Sequence, residues 1–136
     1  MSNISLVTII CVAIIATIHI QMVKGSEDLS QISEPEFRDY IKKNKLVIAK
    51  FYTKWCPHCA DSEDSYEEAA KLIGKGNAAI KVVKIDCDLA REIADKEKVV
   101  QLPMMFLYKD GKKVGEFDGD MKDADAIAKW AKESSA

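Results

Sequence analysis

The stretch Phe51 to Glu63 reads FYTKWCPHCADSE, and in it Cys56 and Cys59 stand two residues apart around Pro57 and His58. Thiols at this spacing can be half of a zinc site, a short disulfide staple, a haem attachment point or a reversible redox couple. Zinc asks for about four nitrogen or sulfur ligands. Past the N-terminal 25 residues the chain holds only Cys56, Cys59, Cys87 and His58. His58 lies between the two motif cysteines, where it turns back poorly onto a shared ion. Haem attachment needs a His directly after the second Cys, and Ala60 follows here. A staple is the serious structural alternative. A bridge across two residues closes little chain entropy, so it stabilises weakly. A reversible couple has more to gain from this spacing.

That couple needs one thiol to be an accessible thiolate, the reactive form. The sequence places Cys56 directly after the apolar run Leu46 to Tyr52 and at the start of a helical pattern. The free N–H groups and dipole of a helix start favour an anion. Pro57 suits the first turn, where its missing N–H costs nothing. His58, when charged, adds a cation beside the first sulfur. Together these stabilise the dithiol form, which makes the disulfide more oxidising.

The elements that must position the pair can be read from periodicity. Leu29 to Ile32 reads as a short strand. Ser33 and Glu36 have capping-box spacing, and Phe37, Tyr40 and Ile41 then share one helix face. The run LVIAKFY, Leu46 to Tyr52, reads as a strand covered on both sides. From Cys56 to Ile73 the pattern is one helix, with Tyr66, Ala69, Ala70 and Ile73 inward and Gly74 and Gly76 at its end. Ala79 to Cys87 is a second long strand. DLAREIADKEKV is a helix with Leu89, Ile93 and Ala94 inward, and PMMFLYK is a third long strand in which one of Met104 and Met105 faces the core. Asp110-Gly111 signals a two-residue hairpin turn. A last helix carries Ile127, Trp130 and Ala131 on its buried side. Strands alternating with helices imply an α/β fold with a mostly parallel sheet, to which the hairpin adds an antiparallel edge.

The N-terminus stands apart. Ile4 to Ile20 contains no charged residue, and polarity rises sharply at QMVKGSED. This reads as a secretory signal peptide over residues 1–25, with Val23 and Gly25 as the small residues before the cut. An uncleaved anchor is the alternative, because the run approaches the length of a membrane span. Either places residues 26–136 on the oxidising side of a membrane. The full 136-residue chain has a net charge of −2, 31% charged residues and 48% hydrophobic ones, so nothing suggests the basic face of a nucleic-acid binder. One domain of this size can bury its own core.

The strand, WCPHC, the helix, VVQLP and the KDGKKVGEFDG hairpin, in this order, resemble the thioredoxin superfamily over residues 29–133. The details are most similar to a single catalytic domain of the protein disulfide isomerase family, and CPHC itself is similar to bacterial periplasmic oxidases of the Dsb type. The resemblance implies a thioredoxin-like fold: a central mixed sheet, helices on both faces, and a C-terminal hairpin and helix. It implies Cys56 as nucleophile, Cys59 as resolving thiol, and a reversible Cys56–Cys59 disulfide. It also implies a cis peptide at Leu102-Pro103, a backbone edge at Leu102 for an extended substrate, and an apolar contact from Trp55. Pro57 and His58 would tune the couple. No metal, nucleotide or flavin is implied. The expected partners are proteins or peptides bearing thiols or disulfides, the expected state a monomer, and the expected place the endoplasmic-reticulum lumen or the exterior, since KESSA is not a KDEL-type signal.

The departures are equally specific. Family members usually carry an acid just before FY, beneath the second cysteine; this chain has Lys50. Lys50 either acts on Cys59 or snorkels to solvent on its long stem. The VVQLP loop has no Arg, and Lys54 stands where a Pro usually precedes Trp55. The acid-rich DSEDSYEE reads most simply as a solvated helix face. Cys87 reads as a small buried hydrophobe, with pairing to another chain as its alternative. Two rival functions remain open on these grounds: a thioredoxin-like chaperone or binding module without turnover, and a subunit linked through Cys87.

Overall fold

In the computed structural model, which describes residues 24–136, two strands of seven residues form the centre of the sheet: β2 (Leu46–Tyr52) and β3 (Ile80–Asp86). They run parallel in register, with Lys50 opposite Lys84. The remaining strands are β1 (Glu27–Asp28), β4 (Met104–Lys109) and β5 (Lys112–Glu116), and the sheet order is β1-β3-β2-β4-β5. The proposed leader falls almost wholly on residues 1–23, outside the described residues.

Two helices cover each face. On one side, α1 (Glu34–Lys43) brings Phe37 and Ile41, and α4 (Arg91–Glu97) brings Ile93, over Val47, Ala49, Phe51 and Phe106. On the other, α3 (Glu63–Gly76) and α5 (Ala124–Ser134) bring Tyr66, Ile73, Ile127 and Ala131 over Ile48, Val82 and Leu107. Burying a side chain of this kind is worth roughly 1.5–3 kcal/mol. Strand residues alternate between faces. Val47, Ala49 and Phe51 therefore meet α1 and α4, while Leu46, Ile48 and Lys50 point toward α3. The same alternation sends Met104 to one core and Met105 to the other, so both are buried rather than one.

The structure departs from the sequence reading in four places. The first strand is Glu27–Asp28, not Leu29 to Ile32, because past Leu29 the chain turns: Ser30 N–H donates to Asp28 Oδ1 at 2.9 Å and Ile32 N–H to Leu29 O at 3.3 Å. The helix expected from Cys56 to Ile73 is two: α2 (Pro57–Asp61) and α3, with Ser62 between them. The Ser62 hydroxyl takes the Cys59 carbonyl at 3.1 Å and Lys50 Nζ shares it at 3.4 Å. Such side-chain bonds compete with the helical one. Next, α4 starts only at Arg91, leaving Leu89 exposed rather than inward. Finally, β4 is antiparallel to β2. Seven residues of α4 span about 10 Å, too short to return along a seven-residue strand of about 23 Å. The chain re-enters the sheet at the end where β3 left it.

The hairpin is as expected: Asp110 at φ 52° and Gly111 at φ 79° make the left-handed pair of a two-residue turn. Asp123 caps α5 through a bond from Ala126 N–H at 2.9 Å, and Ser33 and Glu36 form the full capping box.

A buried ionic group ties α1, α4 and the hairpin together. Glu97, 4% exposed, accepts from the Tyr108 hydroxyl at 2.6 Å and pairs with Arg38. Tyr108→Phe leaves that carboxylate with one donor fewer. The expected loss is about 1.5–3 kcal/mol of unfolding free energy, read by urea denaturation as a lower midpoint with an unchanged slope.

Candidate active site

The end of the sheet at which β2 and β3 both finish carries the cysteines. Tyr52 closes β2, Thr53 O accepts Cys56 N–H at 3.4 Å, and Cys56 becomes the N-cap of α2. Its sulfur accepts the Cys59 backbone N–H at 3.2 Å, the bond a side-chain cap makes to a helix's first turn. Pro57 sits in that first turn as expected. The three cysteines among the described residues are free thiols in this structure. Cys56 and Cys59 are 5% and 3% exposed, so the first sulfur meets solvent only through a defined opening.

That opening is a groove of about 640 Å³ whose walls include Trp55, Cys56, His58, Cys87, Arg91 and Leu102. The Leu102-Pro103 peptide is cis, and the Cys56 thiol points at Leu102 O across 3.9 Å. Trp55 is 69% exposed, with its indole N–H donating to Asp88 at 2.7 Å. Val100, across the groove, is 84% exposed. Trp55 and Val100 are the two most exposed large apolar side chains among the described residues, and both line the groove that Cys56 opens on. His58 is exposed in the first turn of α2, beside the groove mouth.

Cys59 is held differently. Burial first, then its hydrogen bond with Cys56, pushes its thiol up to about 12. The side chain behind it is Lys50, fully buried. The snorkelling alternative is therefore excluded: Lys50 points inward because its strand register puts it among Leu46 and Ile48. Its Nζ donates to Cys59 O at 3.4 Å and to Glu63 Oε2 at 3.2 Å, and lies 5.1 Å from the centre of the Tyr66 ring. Burial lowers the Lys50 pKa, with the Glu63 charge opposing. Glu63 also pairs with Lys84, which reaches Glu67 at 3.3 Å. Burial alone would discharge Lys84, but its two carboxylate partners outweigh that and raise its pKa.

Lys50, Cys56, Pro57, His58, Cys59, Leu102 and Pro103 thus gather at one end of the sheet, with Trp55 at the rim. Cys87 lies in the groove wall, half-buried rather than core, its thiol pushed up to about 11 by burial and by the charge of Asp86. Sequence reasoning missed Glu63 and Asp88. Glu63 was submerged in the acid-rich stretch read as a solvated face. The signal for it was Lys50 itself, because a lysine inside an apolar strand needs a carboxylate within reach.

Comparison with known proteins agrees with this geometry. The Thioredoxin family model matches residues 28–133. Protein disulfide-isomerase 1 of Caenorhabditis elegans is 32% identical over 114 residues, covering 84% of this chain and 23% of that protein. Protein disulfide-isomerase of Humicola insolens is 31% identical over 112 residues, covering 82% and 22%. The chain therefore spans less than a quarter of these relatives' length. The solution structure of oxidised thioredoxin from Plasmodium falciparum superimposes with a TM-score of 0.66 at 27% identity, covering 82% of this chain and 99% of that one. Human ERp44 shares the fold, with a TM-score of 0.73 at 17% identity.

Proposed function

This chain belongs to the thioredoxin family, as a single domain close to the protein disulfide isomerases, and on that premise we propose that it is a thiol–disulfide oxidoreductase acting on protein disulfides in the secretory pathway. The observation that carries the reading is the asymmetry of the pair. Cys56 caps a helix start and faces an open groove, while Cys59 sits behind it with its thiol held up to about 12. One sulfur is placed to attack and the other to wait.

In this mechanism Cys56 thiolate attacks a substrate disulfide. A new S–S bond forms to Cys56, and the other substrate sulfur leaves with the electron pair. Cys59 then loses its proton and attacks Cys56 Sγ. The Cys56–Cys59 bond forms, the second substrate sulfur departs as a thiolate, and two electrons have passed from the dithiol to the substrate. Run backwards, the same steps oxidise a substrate dithiol. An extended peptide would lie along Leu102 and Pro103, with apolar side chains against Trp55. Residues 1–25 would direct the chain into the secretory pathway and be removed, leaving Ser26 first.

Refolding of a scrambled, disulfide-bonded protein tests the reading. Catalytic amounts of the wild-type chain should speed recovery of native pairing, and Cys56→Ser should not. Equal recovery with both would favour the binding-module reading, for which the exposed Trp55 and Val100 are the supporting feature.

His58 bears on direction. The exposed imidazole stands two residues from Cys56 on the first turn of the same helix. Its replacement removes a ring N–H donor from the groove that Cys56 also lines, and a cation whenever the ring is charged, so His58→Ala should make the disulfide less oxidising. A shift of about 30 mV corresponds to about 1.4 kcal/mol. Equilibration with glutathione buffers reads the potential, and an unchanged value would remove His58 from the tuning.

A further inference from the structure

Cys59 presents a problem that the exchange chemistry leaves open. Its proton must leave from a buried thiol that holds it tightly, and the side chain directly behind it is a lysine. Three observations converge on where the proton goes. Glu63, at the start of α3, is bound to Lys50 Nζ at 3.2 Å and to Lys84, and its side chain is 34% exposed, so it touches both the buried cation and water. Glu63 and Cys59 line one small cavity of about 130 Å³, whose other walls are Tyr52, Thr53, Lys54 and Ala60. Within that wall the Thr53 hydroxyl is buried and has no hydrogen-bond partner. A cavity of that size has room for a few waters at about 30 Å³ each, and the Thr53 hydroxyl and the Glu63 carboxylate in its wall offer them partners.

We propose that Glu63 accepts the proton Cys59 loses when it resolves a mixed disulfide, while the Lys50 ammonium stabilises the thiolate left behind. The inference rests on the exchange reaction proposed above and adds the base that reaction needs. The Cys59 S–H bond breaks and an O–H bond forms on the Glu63 carboxylate, through water in the shared cavity. Lys50 gives up its partner Glu63 and gains the Cys59 sulfur. Cys59 then bonds to Cys56, and the departing substrate thiolate is reprotonated from solvent as Glu63 returns its proton there.

The charge balance explains why the step is feasible inside a protein. Before transfer the cluster holds Lys50 and Lys84 as cations and Glu63 and Glu67 as anions. Afterwards the anions are Cys59 and Glu67, and the total is unchanged. No net charge is buried, which avoids the penalty an isolated thiolate would carry. Facing these groups are Tyr66 from α3, beneath Lys50, and Asp28 from β1, beside Lys84. Ser26 N–H donates to Glu67 Oε2 at 2.9 Å. The acid in this chain comes from a helix start rather than from the strand beneath the cysteine.

An aromatic disulfide whose thiolate is coloured separates the two halves of the reaction by stopped flow. The first release reports attack by Cys56, and the second reports resolution by Cys59. Glu63→Gln should slow the second release about 100-fold near pH 6.5, the low end of general-base contributions. The first release should be unaltered. The gap should close as pH rises, because hydroxide then takes the proton, and Glu63→Asp should recover part of the rate. A second release in Glu63→Gln that matches wild type at every pH overturns the proposal, and so does equal slowing of both releases. A wild-type protein that gives neither release refutes the exchange reading instead. Should Glu63→Gln fail to fold, the wild-type protein with labelled glutamate carboxyls still decides. The Glu63 carboxyl resonance should move as Cys59 ionises and lose that response once Cys59 is methylated, and a resonance blind to Cys59 overturns the proposal equally.

Discussion

Cys59→Ser is expected to collect substrate proteins as mixed disulfides that survive non-reducing electrophoresis, and Cys56→Ser to collect none. The difference should be all or nothing, because the two sulfurs are not interchangeable in this geometry. Cys56 opens on the 640 Å³ groove, and its sulfur already accepts a backbone N–H, as a thiolate would. Cys59 is 3% exposed and has no comparable route to a protein-sized substrate. Once Cys59 is gone, the bond from Cys56 to substrate can break only by attack from an outside thiol. Alkylation of the reduced native protein at mildly acidic pH is the companion measurement. It should modify Cys56 ahead of Cys59 and Cys87, whose thiols are pushed up to about 12 and about 11. Equal labelling of all three, or trapping by Cys56→Ser, would reverse the assignment of roles.

What the sequence disclosed, it disclosed through repeated and local signals. The fold was legible because β2 and β4 are largely apolar on both faces, β3 keeps Ile80, Val82, Val83 and Ile85 among its charges, and the helices carry clear stripes, so each element names its own burial. The cysteines were legible because spacing, Pro57 and a preceding buried strand act together within a dozen residues. The split at Ser62 was not legible. It depends on the Cys59 carbonyl being taken by Ser62 and by Lys50, which is nine residues away in the chain and on another element. The direction of β4 was hidden for a related reason. Alternation of strands and helices suggests parallel neighbours, and only the shortness of α4 forces the return from the same end. Glu63 was illegible as a site residue because a carboxylate in a helix's first turn is ordinary. Its partner comes from β2, and no local pattern records that meeting.

Lys50 offers the sharpest contrast between two substitutions at one position. Lys50→Met keeps most of the stem and removes the charge. Glu63 keeps Lys84 as a partner, so the fold should lose little, and replacing a buried charge with an apolar group can even be neutral. Lys50→Glu places a second carboxylate against Glu63 in a fully buried site. Breaking a buried pair in this way costs about 3–5 kcal/mol. The introduced carboxyl escapes part of that by binding a proton, since burial and a like charge both raise its pKa above the unfolded value. A group whose folded pKa is raised contributes stability below its unfolded pKa and loses it as pH rises through the folded one. The deficit of Lys50→Glu should therefore be small near pH 4 and grow toward pH 8, while that of Lys50→Met stays flat. Urea denaturation of the reduced proteins across that range is the measurement. In the exchange reaction both variants should leave attack by Cys56 nearly unaltered and slow resolution by Cys59, because the thiolate loses its cation in each. A flat stability profile for Lys50→Glu would mean that Lys84 swings over to neutralise the new carboxylate. Position 50 would then tolerate either charge, so long as one cation and one carboxylate remain between β2, β3 and the start of α3.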